Sequence, residues 1–270
     1  MKRRMDVISR SRIIFLVSLA ILCMFVVPVS ATTGGPDSFG YTFTDSISGG
    51  TSYNWIDITG TGTPILFTSV DDASTVIPLP FVFNYYGTNY NQLYVSTNGL
   101  IVDYQTSPYS NYPIGASPSV HGFIAPFWDD LRIANPEAAI YYETIGTSPN
   151  RMFIIEWKDI SHYYGTGAIT FEVILYEGSN QIKFQYYDVD FGSPSYNNAV
   201  SATVGIENQA GNDGLQYSFN QPVLDEELAI LFNYPVGSTS VPEFPSLALP
   251  AAMVIGLLGA VLMIQRTKEY

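Results

Sequence analysis

Two adjacent carboxylates at the end of an apolar run are the residues best suited to chemistry in this sequence. Asp129 and Asp130 directly follow Phe-Ile-Ala-Pro-Phe-Trp at 123–128. Hard cations such as calcium take several oxygen ligands, which neighbouring aspartates begin to supply. A carboxylate pair also suits acid–base catalysis. The alternative is a plain strand end, where either side chain accepts backbone N–H bonds in a turn.

Further acidic groups invite the same interpretation. Asp188 and Asp190 are separated by one residue, and 225–227 reads Asp-Glu-Glu. Neither group has the spacing of a known calcium loop. The doublet at 71–72 lies between predicted strands, and we expect it on the surface.

Two common hydrolase motifs and a three-histidine zinc site are missing from the sequence. His121 and His162 are the two histidines, too few for a three-histidine zinc site, and neither a His-Glu-x-x-His nor a Gly-x-Ser-x-Gly pattern occurs. Glycoside hydrolysis needs two carboxylates that flank one bond. Glu156 and Glu172 lie on predicted strands, but the spacing does not bring them together. The sequence therefore predicts a protein that is not an enzyme.

Tyrosine is unusually frequent, with 20 residues in the chain. Tyr109, Tyr112, Tyr163 and Tyr164 fall in predicted loops. Tyrosine combines a flat apolar ring with a polar tip, which favours an adhesive or sugar-stacking surface. The alternative is that these rings only anchor loops and pair across strands.

Charge is distributed unevenly along the chain. Between residues 32 and 242 there are four basic residues and nearly all of the acidic ones. Phosphate backbones are repelled by such a surface, so nucleic-acid binding is excluded. Divalent cations, cationic partners and adaptation to salt all remain compatible with it. The single cysteine, Cys23, lies in the N-terminal apolar run, so no disulfide is expected in the central region.

The central region reads as many short strands separated by turns. In 170–176, Phe171 and its alternate neighbours face one way and Glu172 the other, which predicts a half-buried antiparallel strand. The segment 53–58 alternates similarly and is also predicted as a strand. The fold class is therefore all-β, an antiparallel β-sandwich or jelly-roll-like ectodomain over 32–240.

Two turn features refine this prediction. Pro78 and Pro80 place their strand at a sheet edge or at a bend, because proline cannot donate to a ladder. Asn98-Gly99 between two apolar runs predicts a hairpin with a type I′ turn.

The N-terminus has the three parts of a secretory signal peptide over residues 1–31. Five basic residues precede the fifteen-residue apolar run 13–27, and small residues lead to a cleavage site after Ala31. The alternative is a second transmembrane helix, although the run is short for that role.

The C-terminus carries a candidate membrane anchor. Residues 247–264 contain no charge, and a helix of this length rises roughly 27 Å, close to the hydrocarbon thickness of a bilayer. Residues 241–246 form a proline-containing linker before it. The basic tail 265–270 is expected on the cytoplasmic side. The alternative is a buried core helix.

A family resemblance extends this interpretation. Pro242, Glu243, Phe244 and Pro245, followed by an apolar helix and a basic end, resemble the PEF-CTERM sorting signal of archaeal surface proteins. The resemblance implies an archaeosortase-type processing enzyme as a partner, with these residues as its recognition motif. Without processing, the helix stays as a single-pass anchor in membrane lipid.

The central region resembles a second family. Gly35 to Tyr41, Tyr94-Val95-Ser96-Thr97-Asn98-Gly99 and Ile124-Ala125-Pro126-Phe127-Trp128-Asp129-Asp130 resemble a module common in secreted bacterial and archaeal proteins. The core of this pattern, Asn98-Gly99 followed by Ala125-Pro126-Phe127-Trp128, is also similar to the extracellular domain of nidogen-type matrix proteins. The resemblance implies an extracellular β-rich module for adhesion or matrix assembly and no catalytic residues. This sequence departs from nidogen-type proteins in lacking disulfide-rich modules.

These predictions combine into one functional hypothesis. We expect a non-catalytic binding or structural protein of the cell envelope, held on the outer side of the plasma membrane by one helix or a lipid. Its ligand is an envelope glycan or protein, and no cofactor other than calcium is expected. The alternatives are a surface glycan hydrolase and a calcium-dependent lectin-like module.

Overall fold

Short apolar runs alternate with Gly, Pro and Asn turns between residues 33 and 235, the part of the chain that the structure, a computed structural model, describes. The predicted signal peptide (1–31), sorting motif and linker (241–246), transmembrane helix (247–264) and tail (265–270) lie outside the described residues. Within residues 33–235, no helix is both long and apolar enough to cross a membrane.

Fifteen strands and one short 3-10 helix, Asn197–Ala199, make up the described domain. The strands are β1 (Thr33–Gly34), β2 (Thr42–Asp45), β3 (Thr63–Pro64), β4 (Ser74–Tyr85), β5 (Thr88–Ser96), β6 (Ile101–Val102), β7 (Phe123–Trp128), β8 (Leu131–Arg132), β9 (Ala139–Ile145), β10 (Met152–His162), β11 (Ala168–Tyr176), β12 (Ile182–Asp188), β13 (Thr203–Glu207), β14 (Gly214–Phe219) and β15 (Leu228–Asn233).

The strands form two antiparallel sheets, which confirms the all-β prediction. The larger sheet has nine strands in the order β1-β2-β15-β12-β11-β10-β9-β3, with β8 paired to β10. The smaller sheet has six strands in the order β14-β13-β7-β6-β5-β4. Contacts between strands distant in sequence, such as β2 with β15, join the two ends of the domain.

Aromatic side chains from both sheets meet in the core. Phe127 of β7 stacks on Phe171 of β11 with ring centroids 5.7 Å apart. The Tyr186 hydroxyl donates to the Pro126 carbonyl at 2.7 Å, and the indole N–H of Trp157 donates to the Ser96 carbonyl at 3.0 Å. These contacts pack the sheets face to face as a sandwich, with the polar tips of buried Tyr and Trp satisfied by backbone.

The segment 52–58, which we call the strap, is not a strand, so the prediction of a strand over 53–58 was wrong. It crosses the outer face of the larger sheet, and its backbone bonds go to side chains. The N–H groups of Asn54, Ile56 and Ile58 donate to Gln185, Glu172 and Glu156 at 2.7, 3.3 and 3.0 Å. These three acceptors lie on three successive strands of the sheet.

The strap also corrects the prediction that β11 is half-buried. Residues 169–175 are buried on both faces, because the strap covers the face that carries Glu172. Ile58 is fully buried and packs with Ile154 and Ile174 beneath it.

The Asn98-Gly99 turn does join two paired strands, β5 and β6, but it is not type I′. Among the two residues only Gly99 has a positive φ, 69°, whereas type I′ needs positive φ at both. Asn98 is instead held by its side chain, as described below. Strand β4, which carries Pro78 and Pro80, is an edge strand of the smaller sheet with a register shift after Pro78, as predicted.

Candidate functional site

Three aspartates converge where β7 turns into β8. One ligand oxygen from each of Asp71, Asp72 and Asp130 lies within 4.8 Å of the others. Asp130 occupies the turn between the two strands, and Asp71 forms an isolated bridge to Arg132 of β8. Asp72 has a positive φ of 50°, which aspartate tolerates better than most residues.

Asn98 holds this arrangement together. Its amide nitrogen donates to Asp72 Oδ1 at 2.8 Å, and its Oδ1 accepts the Leu131 N–H at 2.9 Å. The side chain is fully buried. Gly99 allows this approach, because a Cβ there would lie 1.9 Å from the Phe127 carbonyl oxygen. The hairpin turn thus links the doublet at 71–72 to the end of β7.

The three carboxylates repel one another. The pKa of Asp130 is raised to about 6, mainly by burial, while His162 opposes the shift and Asp71 and Asp72 reinforce it. Burial and the charge of Asp72 also raise the pKa of Asp71, against the effect of Arg132. Asp71 Oδ1 is buried without a hydrogen-bond partner. A cation among these oxygens would relieve the repulsion and satisfy that atom.

The predicted partner of Asp130 lies elsewhere. Asp129 is buried, accepts a 2.6 Å hydrogen bond from the Ser201 hydroxyl, and lies 3.5 Å from His162 Nε2. Its Oδ1 also accepts the Asp130 N–H at 2.9 Å. The structure therefore assigns Asp129 a supporting position, and the carboxylates that join Asp130 are those at 71 and 72.

The donor set fits a hard cation. All three side chains offer oxygen, and calcium takes six to eight oxygen ligands, of which water and backbone carbonyls can complete the set. Soft or borderline metals prefer nitrogen and sulfur ligands.

The four predicted surface tyrosines occupy two places. Tyr163 and Tyr164 are 39% and 71% exposed, and their rings contact each other edge to face at 4.9 Å. Arg132 lies over the Tyr163 ring at 4.9 Å, so this pair adjoins the aspartate cluster. Tyr109 and Tyr112 lie in the long loop after β6. The ring centroids of Tyr112 and Trp128 are 6.3 Å apart.

The carboxylates with the largest upward pKa shifts lie under the strap. Burial raises the pKa of Glu156 to about 7 and that of Glu172 to about 8. They are directly opposite each other on β10 and β11, and they are 1% and 0% exposed. Both accept strap N–H groups, so this pair supports the fold and does not face an open cleft.

Sequence reasoning found one member of the cluster and missed two. The doublet at 71–72 was expected only on the surface. Its approach to Asp130 depends on the Asn98 side chain, which bonds to Asp72, 26 residues before it, and to Leu131, 33 residues after it. The sequence contains one signal for this cluster: two aspartate doublets, each next to an apolar strand.

The described domain is an antiparallel β-sandwich whose aspartate cluster lies in the loops at strand ends. Residues 40–240 match the family described as NIDO related, and the chain belongs to this family. The match supports the nidogen-type resemblance of the central region.

Curated relatives are more distant. Alpha-tectorin from Mus musculus is 27% identical over 173 residues, which cover 53% of this chain and 8% of the mouse protein. Alpha-tectorin from Homo sapiens is 26% identical over 173 residues with the same coverage. The matching region is thus a small part of these relatives. No solved structure matches the chain.

Proposed function

We propose that this protein is a non-catalytic cell-surface protein whose NIDO-related domain binds a component of the cell envelope. Membership of the NIDO-related family over residues 40–240 carries this proposal, because the match spans nearly the whole described domain. The relatives named alpha-tectorin support a binding or structural role outside the cell for this class of module.

The domain organisation in this proposal follows the sequence. A signal peptide (1–31) directs export, the ectodomain (32–240) faces outward, and a helix (247–264) with a cytoplasmic tail (265–270) anchors the chain. Residues Pro242, Glu243, Phe244 and Pro245 present a PEF-CTERM-type motif to an archaeosortase-type enzyme.

Processing of the tail has a direct test. Glu243→Ala with Phe244→Ala should leave the C-terminal segment attached, as mass spectrometry of the cell-associated protein would show. Normal processing of this double variant would refute the sorting motif and leave a single-pass anchor.

The geometry supports this role better than glycan hydrolysis. A glycosidase needs two carboxylates that reach opposite sides of a substrate bond. The described pair with raised pKa values, Glu156 and Glu172, is buried and bonded to the strap backbone. A substrate has no access to it while the strap is in place.

A calcium-dependent form of the same function is a second candidate. The convergence of Asp71, Asp72 and Asp130 within 4.8 Å favours it. In this form the cation orders the loop end of the sandwich, next to Tyr163 and Tyr164. Aromatic rings beside a cation suit a ligand with both apolar and hydroxyl-bearing faces.

Binding of residues 32–240 to isolated cell envelopes tests the proposal. We expect saturable binding that unlabelled protein competes away. Loss on chelation, restored by calcium, would support the calcium-dependent form. Absence of saturable binding both with calcium and with chelator would contradict a binding function and leave a passive coat component or an enzyme.

A further inference from the structure

A cavity of about 350 Å³ lies beside the strap at the end of β12. Its lining combines aromatic rings with carboxylates: Tyr53, Trp55, Tyr187, Asp188, Glu226 and Glu227. The rings of Trp55 and Tyr187 lie 5.5 Å apart and are tilted by 43°. Tyr187 is 59% exposed, although the five strand residues before it are buried. Large aromatic rings left open beside a cavity point to a ligand.

No basic residue of the described domain forms an ion pair with the carboxylates of this cavity. Its carboxylates take part in none of the ion pairs formed within residues 33–235. The four lysine and arginine side chains there contact other groups: Arg132 lies over Tyr163, Arg151 pairs with Glu177, Lys158 pairs with Asp159, and Lys183 donates to the Ser52 carbonyl of the strap.

A second cavity of about 370 Å³ adjoins the first and shares Glu226 with it. Asp190, Asn198 and Asp225 line it, and the Asn198 amide is already used by the Leu224 carbonyl at 2.6 Å. We call the two cavities together the acidic groove. It offers carboxylate acceptors in two adjoining cavities.

The carboxylates of the acidic groove do not converge on one point. Within residues 33–235 the one group of three metal-ligating side chains with atoms within 4.8 Å is the aspartate cluster at 71, 72 and 130. Spread carboxylates beside aromatic faces suit an organic cation with an apolar stem, which gains both charge pairing and cation–π contact.

The electrostatic field at Tyr53 also favours a cation in the acidic groove. The pKa of Tyr53 is raised to about 12, first by burial and then by the negative charges of Glu172, Glu227 and Glu226. A cation near these groups would be attracted for the same reason that the tyrosine proton is held.

Glu227 adopts a left-handed backbone conformation, which glutamate disfavours. Its φ is +60°, and the Leu228 N–H donates to the Asp225 carbonyl at 3.3 Å across the turn. A positive φ at the third residue of a turn favours glycine or asparagine. Glycine at 227 would fit the turn better, so the carboxylate itself can be removed without straining the fold.

We infer that the acidic groove binds a polypeptide that presents two arginine or lysine side chains, one to each cavity. The first cation packs against the exposed faces of the Trp55 and Tyr187 rings and pairs with Glu227, and the second pairs with Asp190 and Asp225. This deepens the proposed function, on which it rests, by naming the class of envelope partner as a basic protein segment. Two linked cavities favour a polypeptide over a single small amine.

Intrinsic fluorescence gives a selective measurement. The chain has three tryptophans, and Trp128 and Trp157 are fully buried, so a ligand that enters the groove acts on Trp55. The full-length chain in detergent micelles is titrated with the blocked peptide Gly-Arg-Gly-Arg-Gly, with Gly-Gln-Gly-Gln-Gly, and with a neutral oligosaccharide.

We expect a saturable fluorescence change with the arginine peptide alone. Salt should weaken it, because the contacts are solvent-exposed ion pairs. Glu227→Gln should reduce its affinity by about fivefold or more. Glu227→Gly should reduce it equally while leaving the melting temperature unchanged or higher. Glu137→Gln, which removes an exposed carboxylate outside the groove, should keep the wild-type affinity.

Three results would overturn the inference. These are equal binding of the glutamine peptide, an unchanged affinity of Glu227→Gln, and a response to the oligosaccharide in place of the arginine peptide. Envelope binding by the Glu227→Gln variant distinguishes failure of the acidic-groove inference from failure of the proposed function. If it is intact while the peptide fails to bind, the proposed function stands and the groove is not its contact.

Discussion

Glu156 and Glu172 face each other across strands β10 and β11, and both carboxyl groups lie beneath the strap and accept its N–H groups. Their pKa values of about 7 and about 8 stand above the ordinary value of 4.5, chiefly because burial disfavours the charged form. A raised folded-state pKa contributes stability that is complete below the unfolded-state pKa and is lost as pH rises through the folded-state pKa.

The first prediction follows from the upward direction of these two pKa shifts. The free energy of unfolding should fall as pH rises from about 5 to about 9, since both carboxyl groups must ionise in a buried position. Glu172→Gln should flatten the profile and be more stable than wild type above pH 8, by on the order of 2 kcal/mol. Urea unfolding of residues 32–240 at several pH values measures this. Parallel profiles for this variant, wild type and the exposed control Glu137→Gln would contradict it.

The strap should also contribute through apolar packing. Ile58 is fully buried with Ile154 and Ile174, so Ile58→Ala should cost about 3 kcal/mol of unfolding free energy. Ile47→Ala makes the same chemical change at a side chain that is 65% exposed, and it should cost well under about 1 kcal/mol. Equal losses in the two variants would mean that the strap does not pack as described.

The turn at Gly99 should be intolerant of any side chain. Gly99→Ala places a Cβ 1.9 Å from the Phe127 carbonyl oxygen and also keeps a φ of 69°. Gly49→Ala meets nothing within 4 Å at a similar φ of 76°. Thermal unfolding should show a loss of about 1 kcal/mol for the control and about 3 kcal/mol or more for Gly99→Ala. Comparable losses would show that backbone conformation alone matters there.

The aspartate cluster should respond to calcium through stability. Calcium at about 100 times its dissociation constant should stabilise the domain by about 3 kcal/mol, visible as a rise in melting temperature. Asp72→Asn and Asp130→Asn should lose most of this rise. Glu137→Gln should keep it.

Asp130→Asn has a second expected effect. Its carboxyl has a folded-state pKa of about 6, so without calcium the neutral variant should be more stable than wild type above that pH. A calcium response of the same size in this variant and in wild type would show that the cation binds elsewhere.

The sandwich itself was predictable, and the strap was not. Alternating residues in 170–176 and the hairpins on either side define antiparallel strands without further information. The segment 53–58 has the same alternation, but its backbone groups bond to Gln185, Glu172 and Glu156 side chains. Sequence patterns record which residues are apolar and not where a backbone N–H finds its acceptor.

The candidate site was predictable in part. The position of Asp130 after an apolar strand marked it as a possible ligand, but its companions depend on the Asn98 side chain, which reaches both Asp72 and the Leu131 N–H. The acidic groove likewise depends on a tertiary contact, since the strap brings Trp55 beside Tyr187 of β12. Tertiary contacts of this kind have no periodic signature.

Exposure of the domain on intact cells is the measurement that decides whether this is a surface protein. Cells producing the full-length chain are treated with an external protease, and residues 32–240 are followed with an antibody against the folded domain. We expect the domain to be lost from intact cells while a cytoplasmic marker remains. Protection of the domain until the cells are lysed would contradict a surface protein.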